Sequence, residues 1–175
     1  MPNWCENHVY IETNPEEIAA IVVAIENQDD KGLLHYLRPE PEHVENDTSG
    51  VMPNWYNWRV ANWGTKWEVQ AEITSHSVEG GWINLYFDSA WSPPVDALDY
   101  WASQGTHRQF NIRYIEWGMA FCGEADNSFG NTTYNIPMTA AEVQESIPAE
   151  LDETFGISEN VAEWEREEAE ETTDA

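Results

Sequence analysis

The succession of periodic segments predicts an α+β protein, a ferredoxin-like split βαβ sandwich with a four-stranded antiparallel sheet and two helices on one face. Three observations carry that expectation. The segments run strand, helix, strand, strand, helix, strand. Both helical segments open on a polar capping residue followed by proline, and a Gly-Gly turn joins the two middle strands. Ten tryptophans in 175 residues argue against disorder, because unfolded chains are poor in aromatics.

Trp4 to Glu12 alternates in part, with His8, Tyr10 and Glu12 on one side and Asn7, Val9 and Ile11 on the other, which predicts a strand. Asn14-Pro15-Glu16-Glu17 starts a helix: Asn14 caps, Pro15 suits the first helical position, and two carboxylates sit near the positive end of the dipole. Ile18, Ile21, Val22 and Ile25 form its apolar stripe. Residues 31–65 are expected to be an insertion rich in aromatics. Strand resumes at Trp67 to Ser75, turns at Glu79-Gly80-Gly81 and returns over Trp82 to Ala90. Ser92-Pro93-Pro94 opens the second helix, with Val95, Leu98 and Trp101 or Ala102 inward, and Gly105 ends it. Phe110 to Phe121 reads as one long strand, and Asn127 to Asn135 as a Gly/Asn-rich hairpin or loop. Thr139-Ala140-Ala141-Glu142 has the spacing of a capping box. The expected division is a ferredoxin-like domain over 1–138 and an acidic extension over 139–175. The usual strand order, 4-1-3-2, places the first and last strands side by side, and with them Cys5 and Cys122.

Thirty-three acids against seven Lys plus Arg give a formal net charge of -26 and a pI near 4.1. Such a chain repels nucleic acid and anionic membrane and points to a cationic partner or a saline solvent. Thirteen of the acids lie beyond Thr139, against Arg166 alone, and the end from Glu163 onward reads as a solvated, fraying helix. No apolar run approaches the roughly 20 residues of a membrane span. The start of the chain carries neither a basic region nor an apolar stretch, so a cytoplasmic setting with reduced thiols is expected.

Four blocks stand out: Met1-Pro2-Asn3-Trp4-Cys5-Glu6-Asn7, Trp63-Gly64-Thr65-Lys66-Trp67, Ala90-Trp91-Ser92-Pro93-Pro94 and Glu116-Trp117-Gly118-Met119-Ala120-Phe121-Cys122-Gly123. Together they resemble the YubB-type ferredoxin-like proteins encoded by bacteriophages and conjugative plasmids. The resemblance spans most of residues 1–130 and implies a mobile-element origin and the same sandwich fold. It supplies no activity to carry over.

Catalytic and metal signals are weak. Cys5 and Cys122 with His8 or His107 lack any compact zinc spacing, no glycine loop is built for phosphate, and nothing sets a nucleophile beside a base. A non-enzymatic accessory protein acting by binding is expected, without cofactor or metal, and no oligomeric state follows from the sequence. Its first form is an acidic DNA mimic that inhibits a basic host protein, either a DNA-binding or a defence enzyme, without touching nucleic acid itself. The candidate contacts are Glu12, Glu16, Glu17, Glu26, Asp29, Asp30, Glu40, Glu42, Glu45, Glu68, Glu72 and Glu79, together with Glu163, Glu165, Glu167 and Glu168. Its second form is a pocket that binds or sequesters a small molecule such as a nucleotide, walled by Trp55, Trp58, Trp63, Trp67 and Trp91. Arg59 and Lys66, one of two lysines, would be its anion contacts. Packing of these rings as core, with Lys66 neutralising a carboxylate, is the competing account. A third reading assigns the acidity to a saline environment alone.

Overall fold

The computed structural model of the protein describes residues 3–27, 31–45 and 54–173. In chain order the elements are β1 (Trp4–Glu12), α1 (Pro15–Glu26), α2 (Leu33–Leu37), α3 (Glu42–Glu45), α4 (Asn54–Trp63), β2 (Glu72–Ser77) and β3 (Trp82–Ala90). There follow α5 (Val95–Ser103), β4 (Gln109–Glu116), β5 (Phe121–Asp126), β6 (Gly130–Asn135), α6 (Ala140–Ser146), α7 (Ala149–Phe155) and α8 (Ile157–Thr173). The strands form one antiparallel sheet in the order β2-β3-β1-β4-β5-β6. None of the described helices is long and apolar enough to cross a membrane.

The four-stranded, two-helix ferredoxin-like sandwich expected from the sequence does not form. The sheet has six strands, and helices pack on both of its faces. β1 does lie between β3 and β4, but β4 is not the edge. The run read as one strand from Phe110 to Phe121 is broken by a reversal. The buried Glu116 carboxylate accepts the backbone N–H groups of Gly118 (2.9 Å) and Met119 (2.5 Å), and Ala120 takes a positive φ of 53°. That turn sends the chain back as β5, and a second hairpin adds β6.

Side chains alternate across a strand, so each face collects its own core. On one face Val9, Ile11, Ile83, Leu85, Phe87, Phe110 and Ile112 pack with Ile18, Ile21 and Ile25 of α1 and Leu98 and Trp101 of α5. Leu33, Leu34 and Leu37 of α2 and Trp63 of α4 join the same core. On the other face Ile115, Cys122 and Ile136 pack against Val143, Ile147, Leu151, Ile157 and Val161 of α6 to α8. The acidic end of the chain is thus not a solvated appendage throughout, since the few apolar residues of its three helices pack together against β4 and β5.

Cys5 and Cys122 do not meet. Cys5 is opposite Glu116 in the register and Cys122 is opposite Ile115, one position earlier, so the two thiols face opposite sides of the sheet. Both are free and buried. Burial pushes both thiols up, Cys122 to about 11, which makes them packing groups and poor nucleophiles.

The caps behave as their chemistry predicts. Asn14 Oδ1 accepts from Glu17 N–H (2.9 Å), and Thr139 Oγ1 accepts from Glu142 N–H (3.3 Å). Ser92 is different: the cap position of α5 is Pro94, and the Ser92 hydroxyl donates to Gly64 C=O.

Candidate functional site

A buried polar network joins three of the four sequence blocks. The Asn7 amide donates to Cys5 C=O (2.7 Å), Phe87 C=O (3.2 Å) and Ser89 Oγ (2.9 Å). Ser89 Oγ donates to Ser92 C=O, and Thr65 Oγ1 donates to Ala90 C=O (2.9 Å). Gly64 is required here: its φ is 85°, and a Cβ would meet Pro93 C=O at 2.9 Å. The fourth block enters through Gly118, where a Cβ would lie 2.6 Å from Asn3 Nδ2.

This frame displays aromatic rings at one end of the sheet. Trp4 and Trp91 are about half exposed and Trp67 somewhat less. The Lys66 ammonium lies 4.0 Å from the centroid of Trp67 and 5.0 Å from that of Trp91, and Trp4 packs on Trp67 with centroids 6.0 Å apart. Trp91 holds a φ of 75°, a strained region for a bulky residue, and its N–H donates to Asn3 C=O (2.9 Å).

The other expected pocket residues lie elsewhere. Trp55, Arg59 and Trp63 line a cavity of about 430 Å³ together with Lys31, His35, Glu40 and Glu68. Arg59 stacks over Trp55 and Trp63 at 5.1 and 4.8 Å and donates twice to Glu40 Oε2, at 3.0 and 2.6 Å. Trp58 packs edge-on against Trp63. Six of the seven residues expected from sequence in one pocket therefore divide between this cavity and the Lys66 cluster, and Trp58 lines neither.

The acidic candidates divide as well. Glu12, Glu16, Glu26, Glu42, Glu72, Glu79, Glu163, Glu165, Glu167 and Glu168 are exposed. Glu17 pairs with Arg108, Glu40 is buried on Arg59, and Glu68 accepts the N–H groups of Leu34, His35 and Val69. Burial raises the Glu68 carboxyl above the usual range, against the pull of those three donors. Glu165 also has a structural role, accepting from Ala140 N–H at the start of α6. Asp29, Asp30 and the side chain of Glu45 lie outside the described residues.

One acidic face is only partly named by the sequence reading, which includes Glu12 and Glu72 but not Glu6, Tyr86 or Asp88. α6 to α8 cover β4 and β5, whereas among the described residues the outward positions of β1, β3 and β2 contribute to neither core. Tyr86 stands there among Glu6, Glu72 and Asp88; burial foremost, and then these carboxylates, raise its hydroxyl above the ordinary value. The alternation of β1 and β3 could have revealed this, because Glu6, His8, Tyr10 and Glu12 share one parity. Among the described residues no group of three or more His, Cys, Asp or Glu is placed to hold a metal ion.

No family model, no curated protein and no solved structure matches this chain.

Proposed function

We propose that this protein acts by binding, presenting a folded polyanionic surface to the basic, nucleic-acid-binding face of a partner protein. The observation that carries the reading is where the cations go. Arg59 is spent on Glu40, Arg108 on Glu17, and Arg113 on Glu150 with Glu124 at 4.0 Å. Arg38 stacks on Tyr100 and donates to Asn62 C=O, and Lys66 lies between Trp67 and Trp91. These five bases are held by internal partners, and none of them is paired with the outward Glu12, Glu72 or Asp88 of the sheet.

α8 adds a geometric argument. Ile157, Val161 and Trp164 make its packing stripe, while Glu159, Glu163 and Glu167 repeat at fourth positions on the opposite side. Like charges at that spacing weaken a helix by a few tenths of a kcal/mol per pair, so the stripe costs stability and displays charge. Seven glutamates from Glu159 to Glu171 occupy about 18 Å of helix, one per roughly 3 Å, against one charge per about 1.7 Å of duplex DNA.

The test is capture by the immobilised protein from a cell lysate at low and at about 0.5 M salt, with and without competing duplex DNA. The expected result is capture of basic proteins that is lost in salt, competed by duplex DNA, and weakened by E12Q/E72Q/D88N. Capture indifferent to salt, to DNA and to that variant overturns the reading.

A further inference from the structure

The outward face of the sheet carries a cleft whose lining repeats a set of groups that the protein completes elsewhere. Its volume is about 260 Å³, and Trp4, Glu72, Tyr86 and Asp88 line it together with Glu68 and Gln70. Trp4, Glu72 and Asp88 are exposed, so a ligand in the cleft can reach them. In other parts of the chain guanidinium, indole and carboxylate occur as one unit. Arg59 lies over Trp55 and Trp63 and donates twice to Glu40, and Arg108 lies over Trp101 and grips Glu17. The cleft offers the ring and the carboxylates of such a unit. Among the described residues, however, no cation lies over Trp4 or Tyr86, and none pairs with Glu72 or Asp88. Asp88 also stands directly opposite Glu6 in the register of β1 and β3, and like charges so placed destabilise a sheet.

We propose, on the polyanionic reading of this face, that the cleft receives an arginine side chain of the basic partner, its guanidinium laid on the Trp4 indole and donating to Asp88 and Glu72. Charge and shape both favour that occupant. An indole face attracts a cation, and the planar, weakly hydrated guanidinium stacks on it while its fork of donors still reaches carboxylates beside the ring. The lysine ammonium is compact and strongly hydrated, and it lacks that fork. Glu68 takes no part, because both its oxygens already accept backbone N–H groups. The cleft is smaller than the roughly 300–1,000 Å³ of sites that hold whole small molecules, which suits a single side chain. A cation there also relieves the repulsion between Glu6 and Asp88.

An NMR titration with end-blocked Gly-Arg-Gly, and with citrulline or lysine in place of its arginine, tests the assignment. Citrulline keeps the shape and removes the charge. The arginine peptide is expected to shift the Trp4 indole N–H signal, identified as the one lost in W4F, and to bind at least about fivefold more tightly than the other two. W4A, which leaves the net charge unaltered, and D88N are each expected to weaken it by about fivefold or more. D88N keeps the ring, so it decides the matter if W4A compromises folding. Equal binding of the arginine and lysine peptides, or binding unchanged in W4A and D88N, overturns the cleft and leaves the polyanionic surface standing. A Trp4 signal unmoved by the arginine peptide up to about 10 mM overturns it as well. Arginine-selective binding through Trp4, alongside lysate capture that duplex DNA fails to compete, keeps the cleft and sinks the broader reading.

Discussion

Arg108 grips Glu17 across 91 residues of sequence: Nε contacts both carboxylate oxygens at 3.0 and 3.1 Å, and Nη2 reaches Oε1 at 2.5 Å. The same guanidinium donates to Trp101 C=O and lies over the Trp101 ring. One side chain at the entrance to β4 thereby ties the first turn of α1 to α5.

That clasp makes a pH prediction. The hydrogen bonds from Arg108, foremost, and that from Thr13 hold the Glu17 carboxyl below its ordinary 4.5. A depressed carboxylate stabilises the fold above its unfolded pKa, and the contribution fades as pH falls below 4.5 through the folded value. E17Q should therefore lose about 1–2 kcal/mol at neutral pH, a figure kept low because both partners retain some solvent. The deficit relative to wild type should be smaller at about pH 3 than at neutral pH. Urea midpoints at both pH values check it; an equal deficit at both would show that the charge is irrelevant.

Asn7 gives a prediction about the core. Its amide serves two carbonyls and a hydroxyl in a place with no exposure to solvent. N7L keeps the forked side-chain shape, with bulkier methyl ends, but removes the donor that serves Ser89 Oγ and two carbonyls. The expected loss is about 1–3 kcal/mol, read from denaturant unfolding. N7L of wild-type stability would mean that those acceptors find other donors.

Some of this was legible in the sequence and some was not, for definite reasons. β1, α1 and the cap at Thr139 follow from local chemistry, alternation and side-chain acceptors, which tertiary contacts do not override here. β2 begins at Glu72 rather than Trp67, because Glu68 is drawn off to the N-terminus of α2. The turn after Glu116 escaped because Ile115, Trp117 and Phe121 are strand-forming residues, while the deciding acceptor is a carboxylate whose partners are backbone. The charge of the last helices hid Val143, Ile147 and Leu151, single apolar residues spread over α6, its extended C-cap and α7. Trp55, Arg59 and Trp63 are expected in one pocket from the sequence, but that Glu40 and Glu68 line the cavity with them follows only from tertiary packing.

Gly123 is a close-approach glycine, and that is testable. Its φ is ordinary, but a Cβ there would lie 2.3 Å from Tyr114 Oη and 2.4 Å from Thr132 C=O. Tyr114 Oη in turn donates to Asn131 Oδ1 (2.6 Å) and meets Thr133 Oγ1 at 2.7 Å. G123A must push the phenol out of this cluster and is expected to cost about 1–3 kcal/mol by overpacking. Pairing it with Y114A is diagnostic: Tyr114 Cζ would also lie 2.5 Å from the new Cβ, so the cost of G123A should fall only when the whole ring is gone, and strict additivity would show that the clash lies with the Thr132 backbone instead.

Trp91 offers the sharpest contrast between display and packing. A tryptophan at φ 75° bears about 1–2 kcal/mol of backbone strain that a glycine would not. The residue is 50% exposed, so what it gains by burial is of the same order as that strain, about 1–2 kcal/mol. W91G should therefore be as stable as wild type or more so, while it strips one of the two indoles from the Lys66 ammonium. A thermal melt decides between the accounts. An unchanged or raised midpoint would mean the ring is held outward at the expense of stability, as a contact surface is. A clear drop would mean that Trp91 is packing after all, and that the strained backbone is the lesser cost.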